Sequence, residues 1–355
     1  MDQNPGRTAW NITGNVKNIF WLVPYIFADD DSLTVDFRMM SIIIQVIFFP
    51  VLAIIALPVN TLTLFILSRG KCGLSRVVTC YLVAMAVADL LVLLLDLILD
   101  KIPLTYMPYY VFLQSMTKWC NIHTALIYTV TGCSVWFTVS FIFDRFVAIC
   151  CQKLKRKFCT GKTVALVLGT VTAISGLKNI YWYFRLTEEY TWVINPFLYI
   201  KRFLYFNFTT QIDLFYYFLT PVFPYVLVLV TNGFTVRHVL LTSTGRRRLR
   251  VPGNGESTKD PEMEKRRKSL VLLLIVSGNF ILLWVPFTVY SVWDRLCDLT
   301  ISVVPPESLR ELGIILQLRS CCTNTALYAL TPTKFREQLN NVVKSPLALI
   351  VVRKS

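Results

Sequence analysis

Charge is scarce in this sequence. Of 355 residues only 16% are charged, against about 25% in an ordinary soluble domain. A single soluble core also stops growing near ~250–300 residues, so the composition argues against a cytosolic enzyme. Histidine is scarcer still, with 2 residues, and the 10 cysteines are scattered, which removes zinc sites and most metal chemistry. No His-Glu-x-x-His pair occurs, and His123 and His238 fall on opposite sides of any membrane the chain crosses. A membrane enzyme would lack its paired ligands. No internal repeat is visible, which weighs against a secondary transporter. The short apolar patch at 18–27 has no small-residue cleavage site, so a cleavable signal peptide is not expected.

What is present is apolar mass. Hydrophobic residues make up 55% of the chain, and the mean hydropathy is +0.55. Apolar runs of ~20 residues suffice to cross a ~30 Å hydrocarbon core. They fall at 41–67, 78–99, 121–149, 163–183, 212–240, 269–292 and 309–330. Short polar connections separate them. Pro50, Pro58, Pro221, Pro224 and Pro286 lie inside these runs, where lipid-embedded helices tolerate proline because neighbours re-satisfy the freed backbone groups. The chain thus reads as an all-α membrane protein, a seven-transmembrane helix bundle. An extracellular segment (1–40) precedes the bundle (41–331), and a cytoplasmic eighth helix and tail (332–355) follow it.

The net charge of +15 might suggest nucleic acid, but the basic residues are placed otherwise. They cluster after span one (Arg69, Lys71, Arg76), after span three (Lys153 to Lys162), between spans five and six (Arg246 to Lys268) and after span seven. Asp29, Asp30, Asp31 and Asp36 occupy the other side. The positive-inside rule therefore puts the N-terminus outside, and no nucleic-acid partner is expected. Two sequons, at Asn11 and Asn207, fall on the outer side, where N-glycosylation occurs.

Charges inside spans cost ~2.5–3.5 kcal/mol each on insertion scales, so each needs a reason. Asp89 sits in mid-span two, with Asp96 two helical turns further on the same face. Arg319 lies within span seven and is expected to pair with a carboxylate or to snorkel. In span four Ala165, Gly169 and Ala173 recur every four residues, a spacing that suits close helix packing.

These features meet motifs that run through most spans. Asn60 stands in span one and Met85-Ala86-Val87-Ala88-Asp89 in span two. Cys120 lies 25 residues before the Arg of Asp144-Arg145-Phe146. Pro224 marks span five, and Phe280 with Leu283-Trp284-Val285-Pro286 marks span six. Span seven carries Asn324-Thr325-Ala326-Leu327-Tyr328, with Phe335 beyond. In this order the motifs resemble the rhodopsin-like (class A) G-protein-coupled receptors. Within that family, Ala56 to Thr63 and Ile122-His123-Thr124 look most similar to the orphan receptors around probable G-protein-coupled receptor 139. The chain is a divergent member: span four lacks the family Trp, and Thr325 and Phe146 replace the usual Pro and Tyr.

The resemblance implies a plasma-membrane receptor that transduces an extracellular ligand to a heterotrimeric G protein. Asp144, Arg145, Phe146 and Tyr328 would serve coupling, and Phe280, Trp284, Pro286 and Asn324 the activation switch. The ligand positions would be Ile127, Tyr128, Thr131, Tyr216, Tyr217, Thr220, Trp284, Phe287, Ser291, Arg310 and Ile314. Ile127 stands where amine receptors place an Asp, which disfavours a buried ammonium. A small aromatic molecule or short peptide fits better, with Arg310 open to a carboxylate. Asp89, Ser134, Ser320 and Asn324 match positions that hold a sodium ion, the one non-protein group expected, as an allosteric ligand. The segment before span five has no Cys for the usual disulfide. Cys120 and Cys297 are then the two expected at the outer end, bonded to each other or free. A transporter or channel remains the alternative. A retinal protein is disfavoured, because span seven has no Lys.

Overall fold

The structure, a computed structural model, describes residues 32–70, 73–106, 118–194, 211–249, 261–299, 303–330 and 337–340; side chains at several helix ends, 324–330 among them, lie outside it. Two units are distinguished, Met1–Ile44 and Gln45–Ser355, and the packing below belongs to the second. Among the described residues there is no strand.

The apolar runs become long helices: α1 (Ser32–Ser68), α2 (Arg76–Val92), α3 (Lys118–Cys150), α4 (Gly161–Ile194), α5 (Phe223–Leu249), α6 (Pro261–Leu299) and α7 (Glu307–Leu330). Several outrun the apolar stretch that predicts them, as α4 and α6 do. Among the described residues, six helices are long and apolar enough to cross a membrane. In α7 the residues Glu307, Arg310, Glu311 and Arg319 lower the hydropathy.

Local sequence explains the helix ends and distortions. Gly70 adopts φ 67° as α1 stops, a left-handed turn that glycine makes without Cβ cost. The Ser75 hydroxyl then accepts from the Val78 amide at 3.4 Å and caps α2. A π-helical stretch, Leu93–Lys101, continues α2 outward. A second π-helical turn, Phe218–Val222, precedes α5; there Thr220 leaves helical geometry (φ −151°, ψ 101°). Thr220 precedes Pro221, whose ring disfavours the α conformation at the residue before it. Pro50 and Pro58 sit within α1 and Pro286 within α6, all inside unbroken helices.

The core runs down the centre of the bundle. Leu82, Met85, Phe141, Leu273, Val276 and Trp284 belong to one buried cluster from α2, α3 and α6. A second joins Phe49, Ala56, Leu93, Leu97 and Leu318 from α1, the π-helical stretch after α2, and α7. Beyond α7, residues 337–340 are helical, and Leu339 packs on the first cluster. Ile54, Leu166, Leu177 and Leu282 are 73, 70, 70 and 73% exposed. An apolar outer belt of this kind would be untenable in water and suits lipid.

One expectation fails. Ala165, Gly169 and Ala173 are exposed, and a Cβ on Gly169 would meet nothing within 4 Å. The α3–α4 contact forms one helical face away, where Ser175 packs against Gly132 and Asn179 is buried. Four-residue spacing defines a stripe but does not say which way it points. Arg319 is exposed on α7 with no ion pair among the described residues, which agrees with the snorkelling half of its expectation.

Candidate functional site

A cavity of about 360 Å³ opens between α3, α6, α7, the π-helical stretch that continues α2 and the segment leading into α5. All eleven ligand positions named from the sequence line it: Ile127, Tyr128, Thr131, Tyr216, Tyr217, Thr220, Trp284, Phe287, Ser291, Arg310 and Ile314. Its aromatic side also serves packing. Tyr128 stacks on Trp182 with centroids 4.4 Å apart, and Tyr216 meets Trp182 edge-on at 5.2 Å. The Tyr216 hydroxyl donates to Asn179 Oδ1 at 2.7 Å, which ties it to α4.

Charge of both signs lines this cavity, beyond the single rim cation the sequence suggests. Lys101 Nζ lies 3.6 Å from Asp96 and 2.8 Å from Asp100. Arg295 lies 3.9 Å from Asp294. Arg310, 45% exposed at its side chain, is 3.4 Å from Glu311. Glu311 also accepts from Gln45.

A further cation escaped the sequence reading. Lys178 stands inside the α4 span, its Nζ donating to Thr220 Oγ1 at 2.8 Å and lying 4.1 Å from the centre of the Tyr216 ring. A hydroxyl and a π-face stand in for the carboxylate that a membrane lysine usually finds. The signal was present as an intramembrane charge in an otherwise apolar run.

Below the cavity lie the residues expected to form a switch. Trp284 donates from Nε1 to Ser320 Oγ at 3.1 Å, and the Ser320 hydroxyl donates to the Gln317 carbonyl at 2.7 Å. Phe280 packs on Trp284 with centroids 5.9 Å apart, and Tyr225 packs on Phe280 at 5.3 Å. Pro286 sits half a turn above Trp284, where the missing amide weakens the helix.

Deeper still, Asp89 is 1% exposed and accepts from Ser134 Oγ at 2.7 Å. Ser320 is buried on α7, while the Asn324 side chain lies outside the described residues. Carboxylate and hydroxyl oxygens are the donor type that a hard cation takes, and of the four positions expected to hold sodium the structure brings Asp89 and Ser134 together. Among the described residues no cluster of three His, Cys, Asp or Glu side chains is arranged to hold a metal.

At the far end Asp144 and Arg145 form an ion pair, with both side chains largely buried. Among the described residues the buried Arg145 Nε meets no acceptor. Its guanidinium lies 5.9 Å from the centre of the Phe141 ring. Phe146 packs against Phe143 at 6.1 Å. The side chain of Tyr328 is outside the described residues, as are Asn11 and Asn207. Cys297 is a free thiol whose Sγ donates to the Val303 carbonyl at 3.1 Å. The other half of the expected pairing, the Cys120 side chain, lies outside the described residues.

Comparison with known proteins bears on the whole arrangement. The chain is 28% identical over 119 residues to the B2 bradykinin receptor of Rattus norvegicus, a stretch covering 32% of this chain and 30% of that receptor. The chain thus spans about a third of the length of the curated relative it matches. The model of the family described as 7 transmembrane receptor (rhodopsin family) matches residues 59–328. Because that match runs from the first span to the last, the chain belongs to the rhodopsin family of seven-transmembrane receptors and is a multi-pass protein of the plasma membrane.

Proposed function

We propose that this receptor couples a small aromatic molecule or short peptide, bound in the outer cavity, to activation of a heterotrimeric G protein. The observation that carries the reading is the convergence of eleven side chains, Trp284 among them, on one cavity. Ligand contact there bears on Trp284, and through it on Ser320 and Phe280. A ligand that prefers one packing of this group shifts the population of the whole bundle. Arg145, held by Asp144 at rest, then meets the G protein as α6 moves at Pro286.

The paired charges around the cavity favour the short peptide of the two ligand classes. Lys101, Arg295 and Arg310 each face a carboxylate, so a ligand carrying both signs can replace these pairs without leaving a charge unmatched. The sequence likeness to the orphan receptors around probable G-protein-coupled receptor 139 is part of this proposal, as is a sodium ion held by Asp89, Ser134, Ser320 and Asn324. Bound sodium would supply positive charge that offsets the burial of Asp89.

A G-protein activation panel, run on membranes with libraries of short peptides and aromatic acids, tests the reading. Activation that Tyr128→Ala and Phe287→Ala both abolish at normal surface density is the expected result. Substrate flux or ion current without any G-protein response would instead revive the transporter reading.

A further inference from the structure

A second, larger groove lies at the opposite end of the bundle from the ligand cavity. It holds about 760 Å³ between α3, α4, α5 and the short helix Gln152–Phe158, within the ~300–1,000 Å³ range of small-ligand pockets. Its walls are apolar and open to the lipid side: Phe143, Val230 and Phe234 are 58, 49 and 54% exposed. The short helix contributes Leu154 and Phe158, four residues apart and on one face, and both line the groove.

The other positions of that helix are basic. Lys153, Lys155, Arg156 and Lys157 are exposed, and Lys162 joins them in the first turn of α4. Among the described residues no carboxylate pairs with any of the five; Lys157 instead reaches over the Phe158 ring at 5.8 Å. The one acid in the groove wall, Asp144, is already neutralised by Arg145. An apolar slot under unpaired cations matches one kind of molecule, with a hydrocarbon tail and an anionic head.

We propose that this groove binds an anionic phospholipid of the inner leaflet, its acyl chain between α3 and α5 and its phosphates on Lys153, Lys155, Arg156, Lys157 and Lys162. Clustered basic residues at the cytoplasmic surface attract such headgroups, and the groove adds a seat for the chain that a solvated basic patch lacks. The bound lipid would touch Phe146 and Asp144, beside Arg145, and so lie next to the residues proposed for coupling. The inference rests on the cytoplasmic placement of this end, and on neither the ligand nor the coupling reading.

The test uses the full-length receptor in phosphatidylcholine nanodiscs containing phosphatidylinositol 4,5-bisphosphate with a diazirine on its acyl chain. Photolysis should label Leu154, Phe158, Val230 and Phe234. Replacing Lys153, Lys155, Arg156 and Lys157 together by Ala should cut that labelling at least about fivefold, since each cation adds to headgroup attraction. Phosphatidylcholine bearing the same diazirine should label these residues at least about fivefold less. Label spread evenly around the apolar belt, or equal labelling by phosphatidylcholine, overturns the proposal. So does full displacement by soluble inositol 1,4,5-trisphosphate, which would put all the affinity in the head. Binding is read without ligand or G protein, so failure here leaves the receptor reading as it stands.

Discussion

Gly313 of α7 lies against the backbone of Phe287 in α6: a Cβ built on it would stand 2.6 Å from the Phe287 Cα and 2.7 Å from its amide nitrogen. No side chain fits there unless one helix moves. Phe287 follows Pro286 and lines the outer cavity, as does Ile314 beside the glycine. The contact thus ties cavity width to the α6–α7 spacing. Gly313→Ala should wedge the helices apart at about 1–3 kcal/mol, the usual cost of overpacking. Lower surface density and an earlier thermal transition of the purified receptor are expected. Unchanged stability in this variant would mean the helices have slack that the structure does not show.

Lys178 and Tyr216 are expected to be energetically coupled. A lysine within a span costs ~2.5–3.5 kcal/mol on insertion scales, and here the Tyr216 ring and the Thr220 hydroxyl offset it. Tyr216→Leu should therefore lower surface expression in the native background. The same change made on Lys178→Met, where no charge needs a partner, should cost visibly less. Surface labelling of the four proteins forms a double-mutant cycle. Additive losses would show that the lysine does not depend on the ring.

Most of the scaffold was legible because lipid imposes a simple rule, that backbone groups must be satisfied within helices. Seven apolar runs became seven helices. The eleven cavity residues were legible only through the family resemblance, which carried them over position by position from motif anchors such as Pro224 and Trp284. Contacts between helices were not legible. The α4 stripe faced outward, and nothing in the local sequence marked Gly313 as a contact point. These outcomes depend on helix rotation and on partners far along the chain. The acid–base pairs around Lys101 were obscured for another reason. The π-helical turn at Leu93–Lys101 shifts register, which a regular helix projection does not include.

Cys159 should be a sluggish nucleophile. Burial and the nearby Asp144 charge push its thiol up to about 11, and only the thiolate attacks alkylating agents. A raised value means the neutral thiol dominates at pH 7.5, with the thiolate fraction climbing as pH approaches about 11. Iodoacetamide labelling of the folded receptor, read peptide by peptide, should modify Cys159 far more slowly than in the denatured chain. The rate should rise roughly tenfold per pH unit, as a thiolate fraction does below its pKa. Fast labelling at neutral pH would place this thiol in water rather than against Asp144.

Sodium should stabilise the resting bundle through Asp89. The carboxylate is almost wholly buried and shares the Ser134 hydroxyl. Sodium chloride at ~100 mM should raise the thermal transition of the purified receptor relative to choline chloride at equal ionic strength, because a ligand selective for the folded form stabilises it. Asp89→Asn and Ser134→Ala should each erase the difference between the two salts. If the native receptor melts identically in both, the cluster is a water-bridged polar network and no ion site.

Arg145 offers the sharpest separation of coupling from folding. Its guanidinium is held by the adjacent Asp144, but Nε has no acceptor among the described residues. The side chain is therefore incompletely satisfied at rest and poised to take a new partner. Arg145→Ala should abolish ligand-driven nucleotide exchange on the G protein while surface density stays near the native level. It lies at the mouth of the bundle, outside the clusters that hold the helices together. Asp144→Asn should act in the opposite sense, because it frees the guanidinium and so raises exchange without ligand. Both variants are read in the same membranes by radiolabelled nucleotide binding, normalised to receptor number. A drop in basal exchange on Asp144→Asn would mean that the acid helps to present the arginine instead of restraining it.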